Sequence, residues 1–167
     1  MLPTIIDFEA SGFGFESYPI EVGVALSSGE RFCTLIIPSE QWTHWDESAA
    51  LVHRIKRDDL TRHGLTVVDV CLRLNQLLLG QTVYSDGWVV DKPWLNKLFD
   101  KAKIEASFTL SPIESIQSQA QQQVWDDVKA ELLKRNSYER HRASHDALLI
   151  QEVYKATRHL THKPLKI

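Results

Sequence analysis

The stretch Thr4-Ile5-Ile6-Asp7-Phe8-Glu9-Ala10 decides how this chain is read. Its apolar, β-branched residues predict a buried strand. On a strand, residues two apart share a face, so Asp7 and Glu9 point the same way. Two carboxylates on one face of a core strand are costly unless something neutralises them. A hard divalent cation with oxygen ligands would do so, and so would a lysine or arginine from elsewhere. The pair alone leaves both answers open.

Working outward, Ser11-Gly12-Phe13-Gly14 reads as a turn and 20–26 as a second strand. Ser27-Ser28-Gly29-Glu30 is a hairpin turn, and 31–37 is a third strand stopped by Pro38. Three strands in meander order predict an antiparallel start. Short helices are expected over 46–55 and 58–63, and a one-sided helix over 67–79 capped by Gly80. A fourth strand at 82–85, a helix at 91–102, a fifth strand at 106–110 and a helix at 119–134 follow. After a polar loop at 136–142, a last helix runs from about Ser144 to His159. This order predicts an α/β layer design with a mixed sheet.

The bulk numbers agree with one domain, expected over 1–160 with a loose tail at 161–167. Of the 167 residues, 43% are hydrophobic and 25% charged, ordinary for a globular protein. No apolar run reaches the roughly 18 residues of a membrane span. The chain enters its first strand with no leader pattern, so a cytoplasmic location is expected. Cys33, in a strand, and Cys71, in a helix, are expected to be buried thiols rather than a disulfide or zinc site. A formal charge of −3 gives no global pull toward nucleic acid. A carboxylate-rich site loaded with metal, however, reverses its sign locally.

Two further acidic signals stand out. In His141-Arg142-Ala143-Ser144-His145-Asp146, the first and last residues point about 140° apart on one continuous helix. They converge only if the helix starts between them, with Ser144 as a plausible N-cap. Asp146 then shares a stripe with Ile150, Val153, Thr157 and Leu160. Its bland alternative is a first-turn acid favoured by the helix dipole, and that of His141 is an exposed loop histidine. In Ser85-Asp86-Gly87-Trp88-Val89-Val90-Asp91-Lys92-Pro93, acids lie where a strand ends and a helix begins, a common place for clefts. Asp91 is also a good N-cap with Pro93 in the first turn, and Asp86 a good turn acid.

Together these pieces resemble the DEDDh 3′–5′ exonuclease family, whose members include polymerase proofreading subunits, ribonuclease T and oligoribonuclease. Asp7-Phe8-Glu9 matches the family's Asp-x-Glu, and Ser11-Gly12 its following turn. Ile20-Glu21-Val22-Gly23 looks like its Ile-Glu-Ile-Gly, and Val52-His53-Arg54-Ile55 its Val-His-Gly-Ile. Asp91 with Trp94 and Leu95 fits the second motif, and His141 with Asp146 fits His-x4-Asp. The His141-Arg142-Ala143 run is close to the oligoribonuclease form. Arg54 departs from the usual glycine, and Gly87 stands where proofreading enzymes have asparagine.

The resemblance implies a ribonuclease H-like fold, a mixed sheet of about five strands flanked by helices. It implies that Asp7, Glu9, Asp91 and Asp146 hold two Mg²⁺ or Mn²⁺ ions. Glu9 would also serve catalysis beside the attacking water, and His141 would be the general base, since histidine ordinarily titrates near neutral pH. Phe8, Ser11, Gly12 and His53 match positions that touch the terminal nucleotide in relatives. The expected partner is the 3′ end of a single strand, RNA or a short oligonucleotide favoured, with a homodimer plausible. Loop aromatics Phe13, Phe15, Trp42, Trp45 and Trp88 could stack on bases. Arg54, Lys56, Arg57, Arg140 and Arg142 could contact phosphates. The alternatives are a DNA-specific proofreading-type exonuclease, a non-catalytic nucleic-acid-binding protein on the same fold, an endonuclease or transposase relative, and an α/β domain with coincidental acids.

Overall fold

The structure, a computed structural model, describes residues 1–135 and 141–162. Its sheet has five strands in the order β3-β2-β1-β4-β5. The strands are β1 (Ile5–Ala10), β2 (Pro19–Ala25), β3 (Arg31–Leu35), β4 (Thr82–Ser85) and β5 (Thr109–Pro112). β1 and β2 pair antiparallel, as do β2 and β3, while β4 lies parallel to both β1 and β5. The helices are α1 (Glu47–His53), α2 (Arg57–His63), α3 (Val67–Leu78), α4 (Trp88–Ala102), α5 (Gln119–Arg135) and α6 (Ala143–Thr161).

Alternation along β1 sorts its side chains between two apolar layers. Ile6, Phe8 and Ala10 pack with residues of α3 and α4, among them Leu74, Leu78, Trp94 and Leu98. Ile5 packs with α5 and α6 through Trp125, Ala147, Ile150 and Val153. Asp7 and Glu9 follow Ile5 at two-residue steps and therefore face the α6 side. A third cluster, Tyr18, Ile20, Ile55 and Leu60, seats the α1–α2 segment beside β2.

The expected elements are present with shifted ends. β3 stops at Leu35, and Ile36 instead bridges to Leu65. The fifth strand is not 106–110 but Thr109–Pro112, because its parallel register with β4 starts at Thr82↔Thr109. Ser107 is held outside it by the Asn75 side chain. Cys33 is exposed rather than buried, since β3 is an edge strand with one face open; Cys71 is buried, and both thiols are free. On the α6 stripe Ile150, Val153 and Thr157 are buried, but Leu160 is 53% exposed because the helix has run past the sheet. Thr161 ends α6 and His162 caps it, so the expected tail begins in helix; its remainder and Asn136–Arg140 of the expected loop lie outside the described residues. Among the described residues no helix is long and apolar enough to cross a membrane.

Candidate active site

A cleft of about 290 Å³ opens at the end of β1. Asp7, Glu9, Asp86, Asp91 and Asp146 line it, together with His53, Lys129 and His141. Asp7 and Glu9 come from the strand, His141 and Asp146 from the start of α6, and Asp91 from the first turn of α4.

Asp91 corrects the N-cap expectation. Helix α4 begins three residues earlier, at Trp88, with Gly87 as its N-cap and no side-chain capping bond. The amides of Val90 and Asp91 both bond back to the Gly87 carbonyl, at 2.9 and 3.0 Å. Asp91 is thus a helical residue only 2% exposed, freed from capping and turned toward β1. Its carboxylate accepts from the Ser85 hydroxyl and from the backbone N–H of Phe8. The same shift makes Trp88 a helical residue rather than a loop one, its indole N–H donating to the Leu110 carbonyl at 3.2 Å.

Ser144 is likewise not the N-cap of α6. That place belongs to Arg142, which makes no side-chain cap. The amide of Ala143 donates instead to Glu21 Oε2 at 2.9 Å. His141 adopts φ +61, a left-handed conformation uncommon outside glycine, and its N–H donates to Asp146 Oδ2 at 2.8 Å. The reversal folds His141 back over the helix start, which solves the 140° problem. One candidate ligand atom from each of Glu9, His141 and Asp146 lies within 4.8 Å of the others.

Gly23 makes this approach possible. It sits opposite Asp7 on β2, and a Cβ there would lie 2.2 Å from both the carbonyl carbon of Ala143 and the amide nitrogen of Ser144. Only a residue without a side chain lets the first turn of α6 lie directly on the strand.

The charges crowd. Burial, then Asp91, Glu9, Asp146 and Asp86 in that order, hold the Asp7 carboxyl well above the ordinary range. Glu9 is pushed up to about 8 by burial first, then by Asp146, Glu21 and Asp91. Burial pushes Asp91 up to about 7, against the lowering effect of its Ser85 hydrogen bond. Two neighbouring acids are already answered. Asp86 pairs with Lys129 of α5, and Glu21, directly across from Glu9, pairs with Arg142. Asp7, Glu9, Asp91 and Asp146 all line the cleft. Such a crowded oxygen-rich set beside one imidazole fits divalent cations such as Mg²⁺ or Mn²⁺.

The expected substrate contacts divide. Phe8, Gly12 and His53 line the cleft. Ser11 does not: it is fully buried, and its hydroxyl meets His44 Nδ1 at 3.0 Å and accepts from the Tyr18 N–H at 3.1 Å. His53 is 3% exposed, its Nδ1 accepts from the Ile55 N–H at 3.0 Å, and Nε2 has no partner among the described residues. Burial above all holds this imidazole below its ordinary value. Arg54, in the place of the family's glycine, takes the left-handed φ of +58 that ends α1. Phe13 and Phe15 are 75% and 95% exposed, whereas Trp42 stacks on Tyr18 and Trp45 lies edge-on to His53. Of the expected phosphate contacts, Arg57 donates to the Thr43 carbonyl and Arg142 to Glu21, while Arg140 lies outside the described residues. Lys129 went unread in the sequence, where a mid-helix lysine carries no signal.

No family model matches the chain, and no curated protein sequence matches it. Solved structures do. E. coli Exonuclease I in complex with a dA16 oligonucleotide superposes with a TM-score of 0.71 at 12% identity, over 96% of this chain and 41% of that one. Exonuclease I from Methylocaldum szegediense gives 0.71 at 12% identity, over 97% and 41%. A zinc-bound E. coli Exonuclease I–single-stranded DNA complex gives 0.67 at 14% identity, over 99% and 42%. The chain thus spans about two-fifths of the length of these proteins. At such identities the likeness is one of fold. The ribonuclease H-like α/β class expected from the sequence holds, with its mixed five-stranded sheet and flanking helices.

Proposed function

We propose that this chain is a divalent-metal-dependent 3′–5′ exonuclease that hydrolyses the terminal phosphodiester of a single-stranded nucleic acid, releasing nucleoside 5′-monophosphates. One observation carries the reading: Asp7 and Glu9 from a strand, Asp91 from one helix start and Asp146 from another converge on one cleft beside His141. Asp7, Glu9, Asp91 and Asp146 would hold the ions, two being the number that so many shared carboxylates suit. The bound ions would supply Lewis acidity and offset the charge of the phosphodiester.

The protein's own groups do the rest. His141 takes a proton from the attacking water, as a general base within reach of Glu9 and Asp146. Ser85 and the Phe8 amide fix the Asp91 carboxylate. With Nδ1 of His53 accepting a backbone hydrogen bond, the neutral ring carries its proton on Nε2. That N–H is a donor on the cleft wall suited to the terminal nucleotide. Phe13 and Val52 offer apolar surface for an unpaired base.

Exonuclease I, the fold neighbour, holds single-stranded DNA, so DNA is the first substrate to test. The likeness to oligoribonuclease favours RNA, but Arg142, which carries it, is engaged with Glu21 and says nothing of the sugar. The test uses 5′-labelled single-stranded DNA and RNA of one sequence, with Mg²⁺, Mn²⁺ or EDTA. A ladder shortening from the 3′ end, with 5′-monophosphate product and no activity in EDTA, is expected. Internal cleavage, or metal-independent cleavage, would refute the assignment.

A further inference from the structure

We infer that Glu21 and Arg142, which do not line the cleft, are positioning residues that set His141 and Asp146 in place. The inference rests on the exonuclease reading for its kinetic consequence and on geometry for its structural one. Helix α6 lacks a side-chain cap of its own, so its first amides need an acceptor from elsewhere. Glu21 supplies it across the fold, taking the Ala143 N–H at 2.9 Å. A carboxylate at a helix N-terminus is also favoured by the helix dipole.

The same carboxylate grips the preceding residue. Arg142 Nη2 donates to Glu21 Oε1 at 2.8 Å, and Nε lies 3.2 and 3.3 Å from the two oxygens. This is a forked, charge-assisted contact, rigid in both distance and plane. Glu21 is only 1% exposed and sits in the central stretch of β2, where pairing with β1 sets it opposite Glu9. β2, paired with the strand that carries Asp7 and Glu9, therefore fixes the helix start that carries Asp146.

His141 is the residue that most needs such a hold. A non-glycine residue at φ +61 persists only where its surroundings over-determine it. Its own amide is tied to Asp146, and the next two residues are tied to Glu21. Released from that clamp, the backbone would leave the left-handed region and carry the imidazole away from Glu9.

The experiment compares Arg142→Gln, Arg142→Lys and Glu21→Gln, each alone and combined with His141→Ala, on a 5′-labelled single strand with Mg²⁺. Arg142→Gln should lower kcat roughly ten- to hundred-fold with KM little changed. Arg142→Lys should recover part of that loss, and adding Arg142→Gln to His141→Ala should cost almost nothing further. Full additivity with His141→Ala would overturn the positioning role. Amide exchange gives a readout free of activity: peptides covering 141–147 should exchange faster in Arg142→Gln, with those of β1 unchanged. Unchanged exchange there would refute the clamp itself. Should wild type show no metal-dependent hydrolysis, the exonuclease reading falls while exchange still decides the clamp. Arg142 is partly exposed, so its variants test the idea even if Glu21→Gln does not fold.

Discussion

Without metal, this protein should lose stability as pH rises across the neutral range. The perturbation is a shift from about pH 5 to about pH 9 in chelator, and the group that sets the scale is Glu9. Its folded-state value of about 8 stands above the ordinary 4.5. A carboxyl raised in this way holds its proton more tightly in the folded chain than in the unfolded one. The folded state therefore binds more protons between the two values, and stability falls with rising pH over that window. The stabilisation is fully present below the unfolded value and lost as pH climbs through the folded one. At about 1.36 kcal/mol per pH unit, the Glu9 difference is worth about 5 kcal/mol. Asp7 and Asp91 move the same way, but the three share one set of repulsions and titrate as a group, so their effects do not add. A loss of about 5 kcal/mol lowers the Tm of a chain this size by roughly 10–20 °C. Thermal unfolding followed by circular dichroism across that pH range measures it directly. Mg²⁺ added near pH 8 should restore the loss, because it binds the deprotonated carboxylates. Glu9→Gln, neutral at every pH, should flatten the curve. A metal-free Tm that stays level or rises with pH would refute the crowding of these acids.

Gly23→Ala should destabilise the protein by about 1–3 kcal/mol or more through overpacking, because the new Cβ meets backbone atoms of α6 that cannot move aside. It should also lower exonuclease activity by displacing His141 and Asp146; a variant with unchanged Tm and rate would show that the close approach is unnecessary. Asp7→Ala should abolish hydrolysis and weaken Mn²⁺ binding measured by calorimetric titration. His141→Ala should keep most Mn²⁺ affinity and lose about 10²–10⁴-fold in rate; if it retained near-full activity, the base would have to be another group.

Much of this was legible in the sequence because it is local. The two-residue spacing of Asp7 and Glu9 puts them on one face of any strand, and the β-branched run around them makes the strand. Meander order and hairpin turns announce the antiparallel half of the sheet, and the later strand–helix–strand order its parallel half. Asp7, Glu9, His141 and Asp146 could be singled out for the same reason, as Asp-x-Glu and His-x4-Asp are short local spacings, and the family resemblance added Asp91.

What the tertiary structure decided concerns partners that are far apart along the chain. Asp91 reads as a fine N-cap until Gly87 starts the helix one turn earlier and releases it toward β1. Ser144 reads as a cap until a glutamate more than a hundred residues away takes that role. Ser11 reads as a substrate contact until the loop folds its hydroxyl inward onto Tyr18 and His44. Capping propensities rank neighbours in sequence, whereas a buried charge is satisfied by whatever the fold brings within about 3 Å. Sequence thus determined which acids exist and which face they take; packing alone determined that Lys129 answers Asp86, that Arg142 answers Glu21, and that Asp7, Glu9, Asp91 and Asp146 meet at one cleft.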